Sequence, residues 1–192
     1  MTGMDTLFGL DPTMLPAAPE IQNAAPADRS RPPVFELEVR DRPAPQGSKR
    51  GFVNPRTQRV QLVEMSPHVG NWREAVRSEA LKALQAQPGW RPLDEPVHGF
   101  MVFTTVRPRS HYRTGKNSHL LRPDAPIQPP SAPDLSKLLR STEDALTAAG
   151  VWRDDARVVE YRRLAKVYAA EDVDALDVPG VLIRIYTIGA TA

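Results

Sequence analysis

The acidic residues between Pro133 and Val159 have the types and spacing that metal-assisted phosphate chemistry needs. Asp134 stands at the start of a predicted helix, Arg140 follows within it, and Asp154–Asp155 comes shortly after its end. Mg²⁺ prefers oxygen ligands, and two or three carboxylates that meet at one point can hold it against a phosphodiester. A nearby guanidinium can stabilise the charge that builds on the phosphate. The segment therefore predicts a Mg²⁺ site for phosphodiester hydrolysis.

Whether these carboxylates meet depends on the helix between them. A helix of about 12 to 15 residues is roughly 18 to 22 Å long, and the segment from Gly150 to Asp155 spans about 20 Å when extended. The chain can therefore just return and bring Asp155 near Asp134, or a second subunit can supply the partner carboxylate. A structural alternative stays open, in which Asp134 only caps the helix and Asp154–Asp155 only forms a turn.

Positive charge is concentrated in two segments upstream of these acids. Residues 40–60 carry six Lys or Arg residues against one acid, and residues 107–122 carry five against none. Basic loops bind phosphates with salt-dependent affinity and without reading sequence, although a merely solvated basic surface is the alternative. The candidate nucleic-acid contacts in these segments and beside Asp134 are Lys49, Arg50, Arg107, Arg109, Arg113, Lys116, Arg122 and Lys137.

The elements that must position these residues follow from apolar periodicity and from Pro and Gly breaks. Residues 107–133 form a long irregular stretch, which in a compact domain is usually functional or mobile. We expect one α/β (α+β) domain with a mixed, largely antiparallel sheet and two main helices. The predicted strands are 34–39, a hairpin of 52–53 and 60–63, 97–106, 157–169 and 181–188, and the predicted helices are 72–87 and 134–149.

Composition limits the classes of protein that the chain can belong to. Its 192 residues suit one domain, which we place at 34–192 after a flexible Pro/Ala-rich arm at 1–33. The absence of cysteine excludes disulfides and thiolate zinc sites. With no apolar run that could span a membrane and no signal peptide at the N-terminus, we expect a cytoplasmic protein without a membrane partner. His98 and the three tryptophans, Trp72, Trp90 and Trp152, are expected to be structural.

The acidic segment also resembles a known signature. Asp134-Leu135-Ser136, Arg140, Asp144-Ala145-Leu146 and Asp154-Asp155 match, in order and spacing, the pattern of the RusA family of Holliday-junction resolvases. That pattern is an Asp-x-Asp near a helix start, then a Lys, then Asp-Ala-Leu, then a paired Asp-Asp. The segments PAPQGSKRGFVNPRTQRVQLVEMS and SHYRTGKNSHLLRPDAP resemble the family as well, particularly actinobacterial and phage members, so the similarity covers about residues 34–188.

The resemblance implies a role for each matching residue. Asp134 and Asp155 would be Mg²⁺ ligands with Asp154 beside them. Arg140 occupies the position of the family's catalytic Lys, where it can hold a phosphate through two N–H groups but cannot act as a base. The resemblance further implies a homodimer that binds branched DNA, a four-way junction, and nicks two of its strands.

One position departs from the pattern. Ser136 stands where the family has its second Asp, and a hydroxyl is a poor Mg²⁺ ligand. Three explanations stay open: a natural variant compensated by Asp154 or water, a deliberately inactivated chain, or a junction binder that does not cut. The two main hypotheses are accordingly an endonuclease and a branched-DNA-binding protein without catalysis. An RNA-binding module is a remote third, because no aromatic-rich strand motif is present.

Overall fold

The computed structural model of the protein describes residues 32–47, 49–64 and 67–188. The predicted arm at 1–33 lies outside these ranges except for its last two residues, so its flexibility stays a prediction. The main elements, in chain order, are β1 (Phe35–Val39), β2 (Lys49–Val53), β3 (Val60–Glu64), α1 (Val69–Gln85), β4 (Val97–Thr105), α2 (Leu135–Ala149), β5 (Val158–Tyr168) and β6 (Gly180–Thr187).

Four of these strands form the main sheet, in the order β1-β6-β4-β5. β6 pairs antiparallel with both β1 and β4, whereas β4 and β5 are parallel. The strands β1, β4 and β5 therefore point in one direction and β6 in the opposite one. The predicted fold class is confirmed: a mixed, largely antiparallel sheet with two main helices.

The core lies between this sheet and the two helices. In β1 the buried residues alternate with exposed ones, so Phe35, Leu37 and Val39 face the helices. The helices meet through a buried polar contact in which the indole of Trp72 donates to the hydroxyl of Thr142 over 3.1 Å. Such a buried polar group is stabilising only because it has a partner. The core side chains from the helices are Trp72, Val76, Ala80, Leu138, Ala145, Leu146 and Ala149.

The strands β2 and β3 form a separate two-stranded sheet. The turn between them uses Asn54, whose side-chain oxygen accepts a hydrogen bond from the backbone of Arg56 over 2.9 Å. Asn is favoured there because its side chain can satisfy the backbone two residues on. The predicted hairpin is confirmed, although β2 begins at Lys49, three residues before the predicted start at 52, and therefore includes Lys49 and Arg50.

The ends of the helices follow local sequence. Gly150 ends α2 in the left-handed conformation at φ 79°, as its position after Ala149 predicts. The helix α1 begins three residues before the predicted Trp72, because Val69 is also buried and extends the apolar face by one turn. Gly70 and Asn71 are weak helix formers, which concealed this first turn in the sequence.

The crossover from β4 through α2 to β5 decides where the acidic residues lie. Because β4 and β5 are parallel, α2 must run back against both of them. Its first residues therefore lie at the edge of the sheet where β4 and β5 end, and its last residues lie near the edge where they begin. Asp134 precedes α2 and Asp154–Asp155 precedes β5, so the two acidic positions belong to opposite ends of this unit.

The long stretch between β4 and α2 is locally ordered in its middle. The backbone of Arg113 donates to Leu120 and that of Arg122 donates to His111, each over 2.9 Å. A bridge between Tyr112 and Leu121 lies between these two hydrogen bonds. Residues 109–122, which we call the basic hairpin, therefore present their cations on a folded turn rather than on an irregular chain.

Candidate active site

Asp134 occupies the position before the first turn of α2. Its backbone is extended, and its side chain makes no capping hydrogen bond to the helix. The carboxylate instead lies 3.0 Å from the ammonium of Lys137, one turn along, and is 58% exposed. The capping alternative is therefore not supported by a hydrogen bond, and the carboxylate stays accessible to a ligand.

Ser136, Arg140 and Glu143 share one face of α2. Residues three and four apart on a helix are neighbours, so these side chains lie in a row on the side opposite the core residue Leu138. Ser136 and Arg140 are exposed. In the described part of the chain, no hydrogen bond or ion pair occupies the guanidinium of Arg140, which leaves its N–H groups for a phosphate.

Glu143 is a functional candidate that the sequence analysis missed. Tyr161 in β5 donates a hydrogen bond to its carboxylate over 2.7 Å. Burial raises the pKa of Glu143, the Tyr161 hydrogen bond opposes this, and the negative charges of Asp155 and Asp144 add to the rise. Neither the helical spacing nor the family pattern singles out Glu143, because its partner Tyr161 comes from a strand that is distant in sequence.

Asp154 and Asp155 follow α2 in a short turn. Asp154 accepts a hydrogen bond from the backbone of Ala156 over 2.8 Å, so one of its oxygens serves the local structure. The side chain of Asp155 is exposed and makes no hydrogen bond or ion pair with the other described residues, although its backbone carbonyl accepts from Val158. A purely structural turn therefore explains the side chain of Asp154. It does not explain the side chain of Asp155, which has no structural contact among the described residues.

The chain does not gather Asp134, Asp154 and Asp155 into one group. Asp155 acts electrostatically on Glu143, and Glu143 lies about 13 to 14 Å beyond Asp134 along the helix at 1.5 Å per residue. Within residues 32–47, 49–64 and 67–188, no three His, Cys, Asp or Glu side chains lie close enough to share a metal ion. The sequence allowed two ways to form a metal site: the chain returns along the helix, or a second subunit supplies the partner carboxylate. The separation of these acids in one chain leaves the second.

Asp144, the acid of the Asp-Ala-Leu triplet, has a structural contact. It forms a 2.5 Å ion pair with Arg73 of α1. The amide of Gln46 lies against both partners, 3.2 Å from Asp144 and 3.3 Å from Arg73 when its nitrogen faces the carboxylate. This cluster ties α1 and the segment after β1 to α2, so Asp144 holds the helix that carries the candidate site.

The predicted nucleic-acid contacts have different surroundings. Arg109, Arg113 and Lys116 are exposed on the basic hairpin. Arg122 is paired with Asp124 at 3.0 Å, and Lys137 with Asp134 as described above. The side chains of Lys49 and Arg50 lie outside the described part of the structure, although their backbone belongs to β2.

Arg107 is a correction to the sequence interpretation, because it is buried rather than presented to solvent. Its guanidinium lies 3.8 Å above the ring of Tyr168 and binds both oxygens of Glu171. It also donates to the carbonyl of Pro126 over 2.8 Å. With its N–H groups engaged, Arg107 anchors the start of the loop, and we remove it from the candidate phosphate contacts.

The residues expected to be structural have structural environments. Trp72 and Trp152 are buried and Trp90 packs against the same core, as predicted. His98 lies in β4, half-buried, with its ring 3.2 Å from Glu160. A histidine in this setting is a partner within the sheet rather than a metal ligand.

Comparison with known proteins identifies the family. No curated protein matches the chain, and no helix of the described residues is long and apolar enough to cross a membrane. The family model described as Endodeoxyribonuclease RusA matches residues 43–186, well over half of the chain. The matched range contains Asp134, Arg140 and Asp155, together with the basic hairpin and the α1–α2 pair. The chain therefore belongs to the RusA endodeoxyribonuclease family.

Proposed function

We propose that the protein is a Mg²⁺-dependent endonuclease that resolves four-way DNA junctions by paired nicks, one from each subunit of a homodimer. The observation that carries this proposal is the RusA family match across the segment with Asp134, Arg140 and Asp155. The exposure of the Arg140 and Asp155 side chains, neither of which has a hydrogen bond or ion pair within the described ranges, supports it, because reactive groups must be available to the DNA.

The residues present fit Mg²⁺ by their chemistry. Mg²⁺ typically takes one or two carboxylates and completes its shell with water and substrate phosphate, so three clustered acids are not required. Asp134 of one subunit and Asp155 of the other would hold the ion, with the second oxygen of Asp154 available beside Asp155. When bound, Mg²⁺ lowers the pKa of a water ligand and draws negative charge from the phosphate. Water and a phosphate group of the DNA would supply the remaining ligands.

Arg140 would hold the phosphate that is cut. A guanidinium offers N–H groups in a planar fork that matches two phosphate oxygens, and it stabilises the charge that grows there. Arg140 lies one turn beyond Ser136 on the exposed face of α2, so it can approach DNA that lies along this face. Because Arg stays protonated, it positions and neutralises the phosphate and takes no proton.

The basic hairpin would supply affinity rather than chemistry. Arg109, Arg113 and Lys116 are exposed on a turn held by its own backbone hydrogen bonds. Such cations bind the phosphate backbone and orient the protein without reading the bases. Arg122 would contribute less, because Asp124 already neutralises it.

The alternative function is branched-DNA binding without cleavage. Ser136 favours it, because this position supplies a hydroxyl where the family has a carboxylate. Glu143 offers a carboxylate on the same face of α2, two turns further along, but it lies half-buried against Tyr161. Direct measurement of cleavage therefore decides between the two functions.

The test is incubation of the full chain with a synthetic four-way junction and Mg²⁺. We expect symmetric nicks from the wild type, and from Asp155→Asn a loss larger than the roughly 10- to 100-fold typical of outer-shell partners. Junction binding without metal should be retained by the variant, because its phosphate contacts lie elsewhere. Asp177→Asn, at an exposed acid paired with Arg40, is the matched control. A wild type that binds but never cuts would establish the alternative function.

A further inference from the structure

A cavity of about 410 Å³ opens at the edge of the sheet where β4 and β5 end. Its wall includes Val106 after β4, Lys166 and Tyr168 in β5, and residues 131–133. Asp134, the proposed metal ligand at the start of α2, is the next residue along the chain. The cavity therefore lies beside one end of the candidate site, and nothing in the proposed reaction yet uses it.

The charge on the cavity wall is positive. Arg42 and Lys166 both line it, and the lining residues within the described part of the chain include no Asp or Glu. Lys166 donates to the carbonyls of Ser131 over 2.7 Å and Pro133 over 2.9 Å. An ammonium has three N–H donors, so these two contacts hold Lys166 in place and leave one donor. The cavity is accordingly suited to an anionic ligand.

The remaining wall is rigid and largely apolar. Proline rings are fixed and carry no backbone N–H, so they offer flat contact surface but no donors. The volume falls within the roughly 300 to 1,000 Å³ of typical ligand pockets. Such walls hold a flat ring by contact and do not read the pattern of hydrogen-bonding groups on its edge. The prolines of the wall are Pro43, Pro108, Pro129, Pro133 and Pro179.

We propose that this cavity receives one unpaired nucleotide from the branch point of the junction, with its base between the proline rings and its phosphate beside Arg42 and Lys166. A duplex is too wide for a cavity of this size, and extrusion of a base costs least where stacking is already interrupted. The inference rests on the proposed function, because the junction supplies the nucleotide.

The probe is a four-way junction with 2-aminopurine, a base whose fluorescence rises when it leaves the stack, at the branch point. Binding is measured without divalent cations, so that no cleavage occurs, by fluorescence and by gel shift on the same samples. We expect the wild-type protein to raise the fluorescence above that of the free junction, and to leave it unchanged for 2-aminopurine placed within an arm.

Two variants test whether the cavity itself holds the base. Val106→Trp fills the cavity from an exposed position and should abolish the fluorescence rise. It should also weaken junction binding by at least about fivefold, which corresponds to the lower end of the binding free energy of one stacked base. Arg42→Ala keeps the space and should reduce the salt dependence of binding by about one phosphate contact, a change of roughly 0.9 in log–log slope. Val173→Trp, at an exposed position outside the cavity, is the matched control and should behave as the wild type.

The outcomes separate this inference from the function on which it rests. A rise that is lost in Val106→Trp and kept in Val173→Trp supports the nucleotide site. A wild type that binds the junction without a rise, or a rise that Val106→Trp retains, overturns the nucleotide site and leaves the proposed function standing. A wild type that does not bind the junction in the gel shift overturns both.

Discussion

At the scale of single residues, the side chains of the candidate site differ from their neighbours in being accessible to a ligand. The side chains of Asp155 and Arg140 are exposed and have no hydrogen-bond or ion-pair partner among the described residues, whereas those of Asp144 and Arg107 are held by short ion pairs. Groups that serve the fold are paired, because an unpaired buried charge is costly. The exposed side chains of Arg140 and Asp155 are under no such constraint, and Asp134, although paired with Lys137, has a side chain that is 58% exposed.

Ser136→Asp tests whether the missing carboxylate limits the reaction. An added carboxylate on this exposed turn of α2 should raise the rate of junction cleavage, or create it, and lower the Mg²⁺ concentration for half-maximal activity. Binding without metal should weaken slightly, because another anion would face the phosphates. Both proteins are compared on the same junction across a Mg²⁺ titration. Unchanged cleavage and metal dependence would show that position 136 is not a ligand position.

At the scale of elements, the loop between β4 and α2 divides into an anchor and a presented surface. The anchor lies at the base of the loop and consists of Arg107 with its three partners, Tyr168, Glu171 and Pro126. The basic hairpin projects beyond the anchor with its cations exposed. The same loop therefore contains Arg107, which the sequence analysis wrongly assigned to DNA binding, and the exposed cations that remain candidates for DNA binding.

Combined substitution of Arg109, Arg113 and Lys116 by Ala should weaken binding to every form of DNA. If each cation makes one phosphate contact, the log–log salt slope should fall by about 0.9 per residue. The control changes Arg77, Lys82 and Arg91 to Ala, which removes the same charge around α1. Equal slopes for the two triple variants would show that the basic hairpin does not touch DNA.

The anchor should also make stability depend on pH. The hydrogen bonds from Arg107 lower the pKa of Glu171, so this pair stabilises the fold above the ordinary Glu pKa and ceases to do so as pH falls through the lowered value. Glu171→Gln should reduce the free energy of unfolding by about 1.5 to 3 kcal/mol at pH 7. Urea unfolding at pH 7 and pH 3 measures this, with exposed Glu95→Gln as control. A deficit that persists undiminished at pH 3 would contradict the role of the ion pair.

At the scale of the whole molecule, the crossover places Asp134 and Asp155 at opposite ends of one unit. One chain therefore holds the carboxylates of Asp134 and Asp155 apart, and it contains only one copy of each. Paired nicks need two copies of the site, which the proposed homodimer would provide. The second subunit is also a source of the ligands that one chain does not bring together.

A mixed dimer tests this arrangement. One subunit carries Asp155→Asn and a distinguishing tag, and the heterodimer is purified and added to a supercoiled plasmid with an extruded four-way junction. We expect the wild-type dimer to yield linear plasmid through two nicks and the mixed dimer to yield nicked circles. Linear product from the mixed dimer at the wild-type rate, or cleavage by a species whose mass is that of one chain, would contradict a subunit-by-subunit mechanism.

The sequence by itself determined the elements and the family. Apolar periodicity, together with Pro and Gly breaks, located both helices and all six strands, because local spacing reflects which face is buried. The starts of α1 and β2 were each predicted three residues too late. Gly150 marked the end of α2, and the ordered acidic signature with Arg140 pointed to the family that the comparison confirms. These features can be predicted from sequence because they depend only on local conformational preferences or on the spacing of residues along the chain.

Only the tertiary structure decided which of these residues meet. The parallel pairing of β4 with β5 forces α2 to run back, which separates Asp134 from Asp155 although the chain length between them allowed contact. The same packing buries Arg107 on Tyr168 and sets Glu143 against Tyr161. Partners that are distant in sequence leave no periodic signal, because their contact depends on strand order and direction rather than on spacing.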